Sequence, residues 1–195
     1  YLAMADGEVP RHDLARLLFA DTEDARGSLR WHLAPVRAAA PRAITRRLCA
    51  TRSAIRLSML TAAAVFRQDT EATPGRPGIF REARVLALYR DDFLASLTVS
   101  ATAEFDNWLY VVQDDLRRRF RQVALAHARR ALDKRRARDA VASLGRLVTS
   151  DPYFEDGHVL LIEVYEALGQ RGLAAAAYDR YQRTVRRELA AEPRP

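Results

Sequence analysis

TEDARGSLRWHLAPVRAAA, residues 22–40, carries three arginines beside apolar residues at helical spacing. Ala25, Leu29, Leu33 and Val36 fall at i, i+4, i+8 and i+11, one face of an α-helix. Asp21 and Thr22 stand where an N-cap is expected, and Glu23 and Asp24 suit the positive end of the helix dipole. At about 100° per residue, Arg26, Arg30 and Arg37 lie within about 40° of one another beside the apolar stripe, with Trp31 further out. Pro35 removes a hydrogen bond and clashes one turn back, so a kink or an early end is expected there. A solvated amphipathic helix would show the same spacing, so the surroundings must decide what the cationic stripe is for.

Codon bias can add arginine, and here 31 of the 32 basic residues are Arg, with Lys134 the exception. Distribution is the better guide. Between Asp24 and Asp69 there is no carboxylate, while Arg26, Arg30, Arg37, Arg42, Arg46, Arg47, Arg52, Arg56 and Arg67 all occur there. With a net charge of +7 on the chain, such a local positive field points to a polyanion, and nucleic acid is the expected partner. The 195 residues, 49% of them hydrophobic, can bury one or two cores.

Upstream, EVPRHDLARLLFA (8–20) reads as a short helix, with Pro10 near its start and Leu14, Leu17, Leu18 and Phe19 at 3/4 spacing. Downstream, ITRRLCATRSAIRLS (44–58) changes character and reads as two short strands around a turn near Thr51–Ser53. Helix, turn, helix and basic hairpin is the order of a winged helix-turn-helix. QDTEATPGRPG (68–78) reads as a linker or long loop. Everything after it reads as helical, in particular 103–132, 138–150, 155–169 and 172–189. Aligning Ala140 with Ala174 sets Leu144 on Tyr178 and Leu147 on Tyr181, an offset of 34 residues that is the tetratricopeptide period. An ordinary helical bundle is the competing reading. The helical half should complete its pairing unaided, so residues 80–195 are expected to fold on their own.

Three stretches resemble one family. LARLLFADTEDARGSLRWHLAPVR (14–37) is similar to the helix pair of OmpR-like winged helices that are fused to a bacterial transcriptional activator domain. The family pattern is L-x-x-L-L-W-P-D followed by A-R-x-S-L-R-x-x-L-x-x-L-R. Ala25, Arg26, Ser28, Leu29, Arg30, Leu33 and Arg37 match it, with Phe19 for the Trp, Ala20 for the Pro and Val36 for the last Leu. ALYRDDFLASL…EFDNWL (87–109) resembles the opening of the activator domain, with Asp91 in place of a Gly, and HVLLIEVYEALGQRGLAAAAYDRYQRTVRREL resembles its end, with Ala190–Ala191 in place of Gly-Val. The chain opens at Tyr1 in what reads as the tail of a helix (YLAM), so a fragment lacking the family's N-terminal sheet is expected.

The resemblance implies a mainly α fold: a partial winged helix-turn-helix at 1–60, a linker or loop at 61–80, and an all-α, tetratricopeptide-like activator domain at 81–195. It implies a SARP-type transcription activator that binds promoter direct repeats in double-stranded DNA. It also implies contacts with RNA polymerase and with a second copy of the chain. The expected DNA-binding residues are Arg26, Arg30, Trp31 and Arg37 on the helix, with Arg46, Arg47, Arg52 and Arg56 on the wing.

Catalysis is not expected. His12, His32, His127 and His158 are scattered, with no H-E-x-x-H, no ligand-spaced carboxylate pair and no G-x-x-x-x-G-K-[ST] loop. Neither a metal nor a cofactor is implied. Cys49, the single cysteine, allows no intrachain disulfide and is expected to be buried and inert. Without a membrane-length apolar run or a signal peptide, a cytoplasmic protein with no membrane partner is expected. Two other function classes stay open: a helical-repeat scaffold for protein partners, and the regulatory region of a larger signalling ATPase or cyclase.

Overall fold

The computed structural model describes residues 1–71, 79–96 and 102–189. Residues 72–78 of the expected linker, 97–101 within the activator-like motif, and Ala190–Ala191 with the remaining C-terminus lie outside the described residues. Among the described residues the fold is mainly α, with one small antiparallel sheet. The chain divides into two compact units: residues 1–65 with 93–115, and residues 66–92 with 116–195.

The first unit begins with β1 (Val9–Pro10), α1 (Arg11–Phe19), α2 (Ala25–Ala39), α3 (Arg42–Thr45), β2 (Leu48–Ala50) and β3 (Ala54–Leu57). The strands are ordered β1-β3-β2, with Val9 opposite Ile55 and Cys49 opposite Arg56. β1 was not expected: two residues, one of them Pro, carry no alternation to read. Val9, Leu14, Ala15, Leu29 and Ile55 are buried together, and Leu17, Leu18, Phe19, Ala25 and Leu33 pack around them. Burying such aliphatic side chains contributes roughly 1.5–3 kcal/mol each.

Four local expectations are corrected. The N-cap of α2 is Asp24, not Asp21 or Thr22: its carboxylate accepts from the Gly27 amide at 2.8 Å. Thr22 instead donates to the Phe19 carbonyl and closes the turn between α1 and α2. Gly27 is needed by that cap, since a Cβ there would lie 2.0 Å from Asp24 Oδ2. Pro35 does not end α2, which continues to Ala39. Pro35 and Trp31 are both exposed, so the Trp31 carbonyl that loses its i+4 donor can be hydrated. Val36, placed on the apolar face by periodicity, is 53% exposed. Ile44 lies in α3 rather than in a strand.

Within the range expected as linker, Ala62–Glu71 forms α4, whose first turn is capped by Thr61 Oγ1 accepting from the Ala64 amide at 3.2 Å. The Ala-rich start favours helix regardless of the Pro and Gly residues downstream. The first unit also takes in the start of α6 (Ala103–Asp133). Buried Thr102 caps it, accepting from the Phe105 amide, and donates its hydroxyl to the Leu17 carbonyl of α1. Trp108 sets its ring 5.0 Å from that of Tyr1, and Gln113 donates to the Phe93 carbonyl at 2.7 Å. Residues 93–115 therefore group with the N-terminal residues.

The second unit contains α5 (Ile79–Leu88), the rest of α6, a 3-10 turn (Ala137–Ala140), α7 (Val141–Ser150), α8 (Glu155–Ala167) and α9 (Arg171–Leu189). On α6, Leu116, Phe120, Ala124, Ala128 and Ala131 form a continuous buried stripe at 3/4 spacing. Phe120 stacks on Tyr89, whose ring also meets Phe66. Tyr89 donates to Asp92 Oδ1 at 2.7 Å, and Arg117 binds both oxygens of the same carboxylate. Burial and that partner push the Tyr89 phenol far up, and Arg117 holds Asp92 down. α8 packs against both α7 and α9. Of the residues paired by the 34-residue offset, Ala140, Ala174, Leu144, Leu147 and Tyr181 are buried, whereas Tyr178 is exposed. Just past α8, Gly169 has a φ of +71°, which turns the chain so that the Gln170 amide reaches the Tyr165 carbonyl at 2.8 Å.

Candidate nucleic-acid interface

α2 follows α1 after a five-residue turn (residues 20–24) and buries Leu29 against Leu14 and Ile55. Fixing that stripe turns the opposite positions outward: Arg26, Arg30 and Arg37 are all exposed. Trp31 is 71% exposed, an unusual state for an indole in an otherwise packed helix pair. It is steadied by His32, whose ring meets it edge-on at 4.8 Å and stacks on Phe19 at 4.9 Å. His32 Nδ1 donates to the Ser28 carbonyl at 2.8 Å, which fixes the ring along the helix.

The hairpin is closed by Thr51. Its amide donates to the Ala54 carbonyl at 2.9 Å, and its hydroxyl oxygen accepts from the Ala54 amide at 3.0 Å. Arg52 is therefore carried at the tip of a tight turn, and Arg56 lies on β3 opposite Cys49. Both arginines are exposed. Cys49 is exposed too, which corrects the expectation that it is buried: Leu48 and Ala50 take the inner face of β2, so the residue between them points out.

Arg46 and Arg47 are not on the hairpin strands. Arg46 is the C-cap of α3, and Arg47 precedes β2, its carbonyl accepting from Ser58 at 2.8 Å where the two strands part. Strand geometry puts that open end roughly 10–15 Å from the turn. The four arginines expected on one wing are thus divided between its two ends and its middle.

What the fold does bring together is Arg26 and Arg30 of α2 with Arg52 and Ser53 of the turn. They border a cleft of about 360 Å³ with Arg11 and His12 at the start of α1, and Leu29 also lines it. Arg11 was missed by the sequence reading, because it lies outside the acid-free stretch and resembles an ordinary surface residue of a short helix. Its backbone amide donates to the Ser53 carbonyl and its Nε to the Thr51 carbonyl, both at 2.8 Å. Trp31, Arg37, Arg46, Arg47 and Arg56 lie outside the cleft. Among the described residues, none of the eight expected site residues is joined to a carboxylate. The seven arginines among them therefore carry their charge without an ion-pair partner among the described residues.

The model of the bacterial transcriptional activator domain matches residues 55–195. The chain belongs to this family. The match covers the greater part of the chain and begins within β3. The activator family agrees with the SARP-type resemblance of the sequence and with the mainly α fold. No curated protein matches the chain. A family of transcriptional activators places this chain in transcription regulation. Among the described residues, no helix is long and apolar enough to cross a membrane, and no group of three His, Cys, Asp or Glu residues could hold a metal ion.

Proposed function

We propose that the chain is a sequence-specific, DNA-binding transcription activator, with residues 1–60 engaging double-stranded DNA and residues 81–195 engaging the transcription machinery. The observation that carries this reading is α2 itself: a helix in a helix-turn-helix arrangement that exposes Arg26, Arg30, Trp31 and Arg37 with no carboxylate partner, followed by a basic hairpin. A helix of this kind fits the major groove, where arginine reads a guanine edge with two parallel hydrogen bonds. Arg52 and Arg56 suit the sugar-phosphate backbone, which positions the protein without reading sequence. Arg46 and Arg47, at the other end of the hairpin, would touch the backbone at a separate place. The resemblance supports promoter direct repeats as the target, with RNA polymerase and a second copy of the chain as partners of the helical residues.

The test is an electrophoretic shift of promoter DNA carrying direct repeats against a random duplex of equal length. Arg30→Ala should cost about 1–3 kcal/mol on the specific duplex and lower the specific-to-random ratio. Unchanged affinity when Arg26, Arg30 and Arg37 are all replaced by alanine would refute the assignment.

A further inference from the structure

We infer that the cleft bordered by Arg11, Arg26, Arg30 and Arg52 is a seat for a single phosphate oxyanion, filled in the DNA complex by one backbone phosphodiester. Three elements meet there: α1 brings Arg11 and His12, α2 brings Arg26 and Arg30, and the hairpin turn brings Arg52 and Ser53. Four guanidinium groups around about 360 Å³ leave room for a phosphate and its first waters. Guanidinium groups offer paired donors that match phosphate oxygens. Among the described residues, no carboxylate lines the cleft. Asp13 is the nearest in sequence, and it faces His12 Nε2 at 3.2 Å.

Arg11 has a further part in this site. It is held against the Thr51 carbonyl by Nε, which leaves the terminal nitrogens of the same guanidinium for an anion. It thereby joins the position of the turn to occupancy of the cleft. An oxyanion bound between α2 and the turn would fix Arg52 relative to Arg30, so a backbone contact at this point would set how deeply α2 lies along the groove. Arg11 is a positioning residue in this scheme, Arg26 and Arg52 are the ligand-facing ones, and Arg30 forms the wall of the cleft beside the base edge it reads.

Two arms on the full chain test the seat, and only the second rests on the DNA-binding reading. In the first, inorganic phosphate is titrated while the arginine Nε–H signals are followed by NMR. The expected result is a saturable shift of Arg11, Arg26, Arg30 and Arg52, with Arg37 and Arg56 unmoved. Ser53→Asp, which puts a carboxylate into the cleft at an exposed turn position, should abolish the shift, and Arg52→Gln should weaken it. In the second arm, native and Ser53→Asp chains bind a duplex at 50 and 200 mM salt. Loss of one phosphate contact makes the slope of log K against log salt shallower by about 0.9. Over this fourfold range the salt sensitivity of affinity should then fall by about 3.5-fold, equally for specific and random DNA. A single methylphosphonate substitution in the duplex should erase the difference between the two chains. A phosphate shift without duplex binding would keep the seat, assign it to free phosphate and sink the DNA reading alone. Absence of a saturable shift at the four cleft arginines overturns the seat, whatever the duplex does.

Discussion

Removing Arg130 should be among the most damaging single changes in the second unit, and the reason lies in Glu82. Glu82 is 1% exposed on α5, and Arg130 Nη2 lies 2.8 Å from its Oε1. The other oxygen, Oε2, makes no hydrogen bond among the described residues and faces His127 Nδ1 at 3.5 Å. Arg130→Met keeps the aliphatic stem and deletes the charge, which strands a buried carboxylate. Breaking a buried pair from one side costs about 3–5 kcal/mol, because the remaining ion has lost its solvent and its partner. Replacing both residues, Glu82→Met with Arg130→Met, removes the stranded ion, and exchanges of this sort range from neutral to about 1–4 kcal/mol stabilising. The double variant should therefore recover most of the loss. Calorimetric or urea melts at constant pH, followed by circular dichroism at 222 nm, give the three differences of the cycle. A cost below about 1 kcal/mol for Arg130→Met, or a double variant no better than the single, would refute the account of this pair.

Other consequences are smaller but equally direct. Asp24→Ala should destabilise the first unit by about 0.5–2 kcal/mol by removing the cap on the Gly27 amide, read as a lower melting temperature and faster amide exchange in the first turn of α2. Arg135 holds a φ of 56° just past α6, so Arg135→Gly should stabilise the second unit by roughly 1 kcal/mol; a lower melting temperature would contradict this. His158 donates to the Pro152 carbonyl and stacks on Tyr181, and burial lowers its pKa below the ordinary 6.5. The unfolded chain then binds a proton that the folded one refuses, so stability is complete above the unfolded value and falls as the pH drops below 6.5. The loss should approach about 1.4 kcal/mol per pH unit at most, and His158→Gln should flatten the profile between pH 7 and 5.

Long periodic runs in the sequence corresponded closely to structure. The spacing of Phe105, Leu116, Phe120 and Ala124 predicts a helix over 103–132, and α6 spans Ala103–Asp133. The same holds for α8 and α9, where many apolar positions repeat the same signal. Short or mixed signals corresponded less well. β1 exists because Val9 and Pro10 lie beside β3, a long-range pairing with no local pattern. Cys49 reads as buried by residue type, but the pleat set by Leu48 and Ala50 turns it out. The expected wing is legible as charge and hairpin, yet α3 moves Arg46 and Arg47 off it, because a four-residue helix after Pro41 leaves too few positions for periodicity. Arg11 illustrates a different failure. Its role follows from two bonds to a turn forty residues away in sequence, and no window along the chain contains both partners.

The outward turn of Cys49 makes the molecule its own instrument. It is the single thiol of the chain, it is exposed, and it stands opposite Arg56 on the neighbouring strand. A maleimide fluorophore would therefore attach at one known place with a stoichiometry of one, with no engineered cysteine and no background to subtract. A dye on that strand would report whether duplex approaches the hairpin, through changes in anisotropy or quenching. The same atom calls for care in handling, since two chains in air-saturated buffer can join through it and pass for a biological pair.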